Sequence, residues 1–178
     1  YGETVKMEQK NSLRGALALL CATLIWGSSF VVMKDTLDTV PTFYLLGIRF
    51  TIGAVLLALV SIRKLRKLDR QYLKYGALMG VFLIAAYTTQ TFGLTMTTPG
   101  KNAFLTAVYC IMVPFMYWLI RKQRPDGYTM TAAVLCIIGI GCISLGSDLS
   151  INLGDVLTLI GGFFYACHMI AVATAARR

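Results

Sequence analysis

The chain has 178 residues, of which 57% are hydrophobic and only 14% charged, with a positive mean hydropathy and a formal net charge of +9. A soluble domain of this length cannot hide so much apolar surface, which excludes a water-soluble enzyme or binding module. The surplus of Lys and Arg lies in short segments between apolar runs, so membrane orientation and anionic-lipid contact account for it, and no nucleic-acid partner is needed.

A helix needs about 20 mostly apolar residues to cross the roughly 30 Å of bilayer hydrocarbon. Six such runs are predicted, at Leu13–Met33, Phe43–Ile62, Leu73–Phe92, Ala103–Ile120, Thr129–Ser147 and Leu153–Ala173. They are apolar all round, without the alternation of barrel strands. The expected fold is all-α: a polytopic helical membrane protein with six transmembrane helices.

Basic residues orient it. Lys6, Lys10 and Arg14 precede the first span; Arg63, Lys64, Arg66, Lys67, Arg70 and Lys74 separate the second from the third; Arg121, Lys122 and Arg124 separate the fourth from the fifth; Arg177 and Arg178 follow the sixth. Lys34 and Lys101 alone mark the other side, so both termini are expected to be cytoplasmic, in a multi-pass plasma-membrane protein. Residues 1–12 then form a short polar cytoplasmic tail.

Along the first span, Trp26 is followed by Gly27, Ser28 and Ser29. Trp26 is a candidate wall of a solute cavity; the competing readings are interfacial anchoring for the Trp and close helix packing for the small residues. Lys34, Asp35 and Asp38 are expected to be solvated in an outer loop that Pro41 closes. Arg49 is the one Lys or Arg inside a span, about 10 Å below the outer boundary at 1.5 Å per residue. There a lone guanidinium costs a few kcal/mol unless it is paired or wetted. It either holds an anionic group such as a substrate carboxylate or pairs structurally with backbone carbonyls.

The third span carries Tyr87, Thr88, Thr89, Gln90 and Thr91, a polar band that would be expensive to turn toward lipid. Tyr87 and Gln90 share a helix face and either line the cavity or bond neighbouring helices. At the start of the fourth, Asn102, Thr106 and Tyr109 form one stripe. Lys101 there either reinforces an anion-attracting helix start or snorkels, and Pro114 is expected to kink the helix. The fifth span, with Gly139, Gly141 and Gly146, reads as a close-packing helix. In the sixth, Tyr165 and His168 lie three apart, and His168 is either a packing residue or a cavity and proton group. The candidate substrate-binding set is therefore Trp26, Arg49, Tyr87, Gln90, Asn102, Tyr109 and His168.

The ends of the chain echo one another. Set from Gly15 and Gly154, the first and sixth spans share a starting Gly, an apolar run, and an aromatic before small residues, Trp26 opposite Tyr165. Five spans separate the two starts, so a true repeat would be inverted in the membrane, an architecture of many secondary transporters.

Trp26-Gly27-Ser28-Ser29-Phe30, Pro41 with Leu46-Gly47-Ile48-Arg49-Phe50, Gln90 to Leu94, Thr97 through Thr106, Pro114, and Gly154-Asp155 together resemble the drug/metabolite transporter superfamily, EamA-type. The resemblance runs from Leu13 nearly to the end. It implies a ten-helix carrier of two inverted five-helix repeats exporting amino acids, metabolites or drugs by alternating access. On that pattern residues 13–147 are the first repeat, and residues 148–178 are a loop and the first helix of a second, truncated one, so a fragment is expected. Were the chain naturally this short, a homodimer would complete the cavity.

The other reading is a non-transporting membrane scaffold or partner subunit whose polar band only joins helices. An enzyme has little support: no nucleophile stands beside a base, no Gly-rich phosphate loop or carboxylate pair occurs, and no catalytic residues are assigned. The lone His168 makes no metal site, and the five cysteines, all inside spans, read as small apolar residues; no cofactor is expected. No carboxylate lies in the middle of a span, which favours uniport or facilitated export.

Overall fold

The computed structural model describes residues 2–65, 69–122, 124–144 and 151–176. Every regular element among them is a helix: α1 (Gly2–Leu37), α2 (Thr42–Leu65), α3 (Arg70–Met96), α4 (Pro99–Ala107), α5 (Tyr109–Arg121), α6 (Gly127–Ser144) and α7 (Leu153–Ala175). Five stretches are long and apolar enough to cross a bilayer: Gly15–Leu37, Thr42–Arg63, Arg70–Met96, Pro99–Ile120 and Leu153–Ala175. The fifth expected span is α6, apolar but shorter over Gly127–Gly139; its expected end, 145–147, lies outside the described residues, as does Gly146. The chain is an all-α, multi-pass membrane protein.

Helix starts follow local chemistry. Asp69 caps α3 by accepting from the Tyr72 amide at 2.9 Å, and Thr98 precedes Pro99, which opens α4 where a missing N–H costs nothing. At α7, Asn152 and Asp155 form a reciprocal capping box, with the Asp155 amide 2.9 Å from Asn152 Oδ1 and the Asn152 amide 3.1 Å from Asp155 Oδ2.

The structure adds one feature to the expectations and changes two. The polar tail is helical and continuous with the first span, making α1 36 residues long. That is about 54 Å at 1.5 Å per residue, well beyond the hydrocarbon thickness. The fourth span is two helices meeting at Val108, six residues before Pro114 rather than at it. There the Val108 amide bonds the Leu105 carbonyl at 3.3 Å, a 3₁₀-type contact, and one turn earlier the Thr106 hydroxyl donates to the Asn102 carbonyl at 2.8 Å, back-bonding of the kind that bends helices. Lys34 is half-buried and paired rather than free in an outer loop. It lies in the last turn of α1 and donates to the Leu94 and Thr95 carbonyls at 2.8 and 3.0 Å, while Asp35 and Asp38 remain exposed. The physical reason is that α3 ends beside it with unpaired carbonyls, which a cation satisfies well.

The centre of the molecule is the antiparallel pair of α3 and α7. Lipid supplies no hydrophobic drive between helices, so association depends on close approach and interhelical hydrogen bonds. Here α7 buries Gly154, Thr158, Gly161, Gly162, Tyr165 and Ala166 along one face. A Cβ on Gly93 would meet Thr158 Oγ1 and, at 2.6 Å, the Gly154 carbonyl; one on Gly154 would lie 2.7 Å from the Gly93 carbonyl. Both positions therefore require glycine. Gly139 of α6 faces the Phe104 ring, the close contact expected of that helix. All five cysteines are free thiols.

Candidate functional site

Five helices contribute to a run of rings that ends at an exposed Trp26. The Phe50 ring centroid is 5.3 Å from that of Tyr87, Tyr87 is 5.4 Å from Tyr165, Tyr165 is 6.0 Å from Tyr109, and Tyr109 is 6.4 Å from Trp26. The first two contacts are edge-to-face, the arrangement aromatic quadrupoles prefer. Over Tyr87 lies the Arg49 guanidinium, its carbon 4.9 Å from the ring centroid, a cation–π geometry. Its one hydrogen-bond partner among the described residues is the Met33 thioether, at 2.8 Å, a weak acceptor. On its other side Arg49 lines an open cleft between α1 and α2.

Behind the rings is a polar cluster closed on itself. Tyr165 Oη donates to Gln90 Oε1 at 3.0 Å, and Gln90 Nε2 donates to Thr106 Oγ1 at 2.8 Å. Asn102 Nδ2 donates to Thr158 Oγ1 at 2.7 Å and to the Gln90 carbonyl at 3.1 Å. Gln90 is 2% exposed and Asn102 fully buried. In membrane proteins such interhelical bonds contribute on average about 0.6 kcal/mol each, so the cluster fixes geometry more than it adds stability. Asn102 Oδ1 and Thr91 Oγ1 are buried without a partner.

A third group gathers at one end of the bundle, where α3 ends and α4 and α7 begin. Asp155, 2% exposed, accepts from Lys101 Nζ at 2.6 Å and from Thr97 Oγ1 at 2.9 Å. Asn152 Nδ2 adds a bond to the Met96 carbonyl at 3.2 Å. Together with Lys34 these contacts tie the ends of α1, α3, α4 and α7.

Of the seven residues singled out from the sequence, Trp26, Arg49, Tyr87 and Tyr109 join in or against the ring run, and Gln90 and Asn102 form the cluster behind it. His168 stands apart. Its Nδ1 is 2.9 Å from the Met79 carbonyl of α3, three residues beyond Tyr165 along α7 and away from the Asp155 end. The candidate set left out Tyr165, which touches two rings and Gln90 at once, although the sequence had placed it opposite Trp26 in the repeat and three residues from His168. It also passed over Thr158 and Asp155, whose partners lie 54 to 58 residues away.

The model of the EamA-like transporter family matches residues 13–145. The chain belongs to the EamA-like transporter family. Among curated proteins it is 30% identical over 161 residues to an uncharacterized transporter of Archaeoglobus fulgidus, covering 90% of this chain and 49% of that protein. The uncharacterized transporter YoaV of Bacillus subtilis is 26% identical over 151 residues, 81% of this chain and 52% of its own length. A probable amino-acid metabolite efflux pump of Escherichia coli is 27% identical over 163 residues, 88% of this chain and 52% of that protein. The chain thus spans about half the length of these relatives. No solved structure matches it. The arrangement sets flat aromatic faces and one guanidinium side by side between helices.

Proposed function

We propose that this chain forms part of a carrier that exports small organic solutes, amino acids, other metabolites or drugs, by alternating access across the plasma membrane, with both of its ends cytoplasmic. The observation that carries the reading is the run of rings from Phe50 to Trp26 with Arg49 over Tyr87: flat apolar faces and one cation, drawn from five helices. Family membership supports a transporter, and similarity to the probable amino-acid metabolite efflux pump of Escherichia coli supports amino-acid-like cargo. Residues 13–147 act as one five-helix repeat, and residues 148–178 contribute the loop and opening helix of an inverted second one. The opposite courses of α1 and α7 support that arrangement: the C-terminal end of α1 and the N-terminal end of α7 meet the same end of α3.

The test uses the protein expressed from its complete open reading frame and reconstituted in proteoliposomes, with a panel of labelled amino acids and hydrophobic drugs. At least one solute is expected to exchange, and Trp26→Ala is expected to slow exchange about tenfold with little change in thermal unfolding. A panel in which nothing moves, or a Trp26→Ala variant that moves cargo at the original rate, would refute the reading.

A further inference from the structure

We propose that the cleft between α1 and α2 binds the carboxylate end of a monoanionic organic solute, with Arg49 as its anchor. The inference rests on the reading above and narrows its substrate class.

Charge accounting comes first. Lys34 is committed to the Leu94 and Thr95 carbonyls, and Lys101 to Asp155. Arg49 has no such commitment: among the described residues no carboxylate lies within ion-pair distance of it, and its one hydrogen-bond partner is a thioether. A guanidinium inside a membrane span without a counter-charge is costly, and a bidentate carboxylate is the partner its planar fork fits. Stacking on Tyr87 leaves the edge of the fork available for that purpose, since cation–π contact uses the face.

The second observation is the space. Arg49 lines an open cleft of about 440 Å³ together with Ser28 and Ser29 and apolar side chains including Ile25, Leu45 and Ile48. That is within the roughly 300–1,000 Å³ of small-molecule sites. The serine hydroxyls at present donate to the Ile25 and Trp26 carbonyls at 3.0 and 2.6 Å. Those carbonyls sit within α1, so rotating a hydroxyl toward an anion leaves them their helical partners. The apolar wall matches a hydrophobic body. The charge this chain brings to the cleft is positive only; the buried Asp155, which would attract an ammonium group, is already neutralised. The chain's contribution therefore selects an acid over its neutral amide.

The experiment is calorimetric titration of the full-length protein in phosphatidylcholine nanodiscs with 3-phenylpropanoate and with 3-phenylpropanamide, which differ chiefly in charge. The acid is expected to bind at least about tenfold more tightly, the scale of one hydrogen bond to a charged group. Arg49→Gln should erase the preference and Arg49→Lys retain part of it. Equal binding of acid and amide to the unaltered protein, or no binding of the acid, overturns the proposal without need of a variant that folds. So does loss of acid binding in nanodiscs containing anionic lipid, which would make the cleft a lipid headgroup site. Transport of solutes with no acid preference would leave the carrier reading standing and remove this one; acid-selective binding through Arg49 with no transport would do the reverse.

Discussion

The Lys101 ammonium and the Asp155 carboxylate meet at 2.6 Å across 54 residues of sequence, joining the first turn of α4 to the first turn of α7. Because Asp155 also accepts from Thr97 and from the Asn152 amide, its loss would take an acceptor from three groups at once. Removing one partner of a buried ion pair typically costs about 3 to 5 kcal/mol; the partial exposure of Lys101 favours the lower end. Asp155→Ala is expected to lower the thermal unfolding midpoint in detergent sharply, and Asp155→Asn, which keeps an acceptor for Thr97, by less. Equal stability of Asp155→Asn and the unaltered protein would show that the charge contributes nothing.

Two glycines of α3 should respond oppositely to alanine. Gly93 has no room for a Cβ, with the Gly154 carbonyl at 2.6 Å, whereas Gly76 has nothing within 4 Å. Gly93→Ala must push α7 away and should cost on the order of 1–3 kcal/mol, the scale of overpacking. Gly76→Ala should be neutral or stabilising by up to about 1 kcal/mol, since it replaces the poorer helix former. Unfolding of the two variants side by side checks this, and a Gly93→Ala protein as stable as Gly76→Ala would mean that α3 and α7 do not approach this closely.

Lys34→Met should cost about 1 kcal/mol, because it leaves the terminal carbonyls of α3 without their cation while keeping the apolar stem. Lys34→Arg should recover most of it. Amide exchange at the last turn of α3 is the sensitive readout, and protection there unchanged by Lys34→Met would contradict the contact.

Hydropathy made most of this fold legible before any coordinates, since a bilayer leaves a long apolar run few alternatives to a helix. The polar residues inside those runs were legible too: Tyr87, Gln90, Asn102 and Tyr109 stood out because lipid penalises them. What stayed hidden was pairing. Nothing near Lys34 marks its partners on α3, and Asp155 reads as an ordinary first-turn acid until α4 brings Lys101 to it. Tyr165 stood out in the sequence, opposite Trp26 and beside His168, but its hydroxyl's place on Gln90 was not legible there. His168 drew notice as the single histidine, and rarity in a sequence says nothing about where the ring points.

Tyr165 gives the sharpest test of how the rings and the polar cluster are linked. Tyr165→Phe keeps the ring against Tyr87 and Tyr109 and removes only the donor to Gln90 Oε1, leaving a buried acceptor unpaired. An unsatisfied buried group costs about 1–3 kcal/mol, so stability should fall by that order. Freed from Tyr165, the Gln90 amide can turn, and the bond from its Nε2 to Thr106 loses its fixed direction. Cysteine accessibility tests a separate point, whether the cluster sees water. In the unaltered background Gln90→Cys and Asn102→Cys should resist a water-soluble maleimide, since both positions are buried, while Tyr87→Cys and Tyr109→Cys, half-buried, should react. Tyr165→Phe is read separately, by thermal unfolding with Gln90 and Asn102 in place, and an unchanged midpoint would mean that the Tyr165 bond to Gln90 contributes nothing. If 90 and 102 label as readily as 87 and 109, the cluster is open to water and its residues belong to the solute path rather than to the wall behind it.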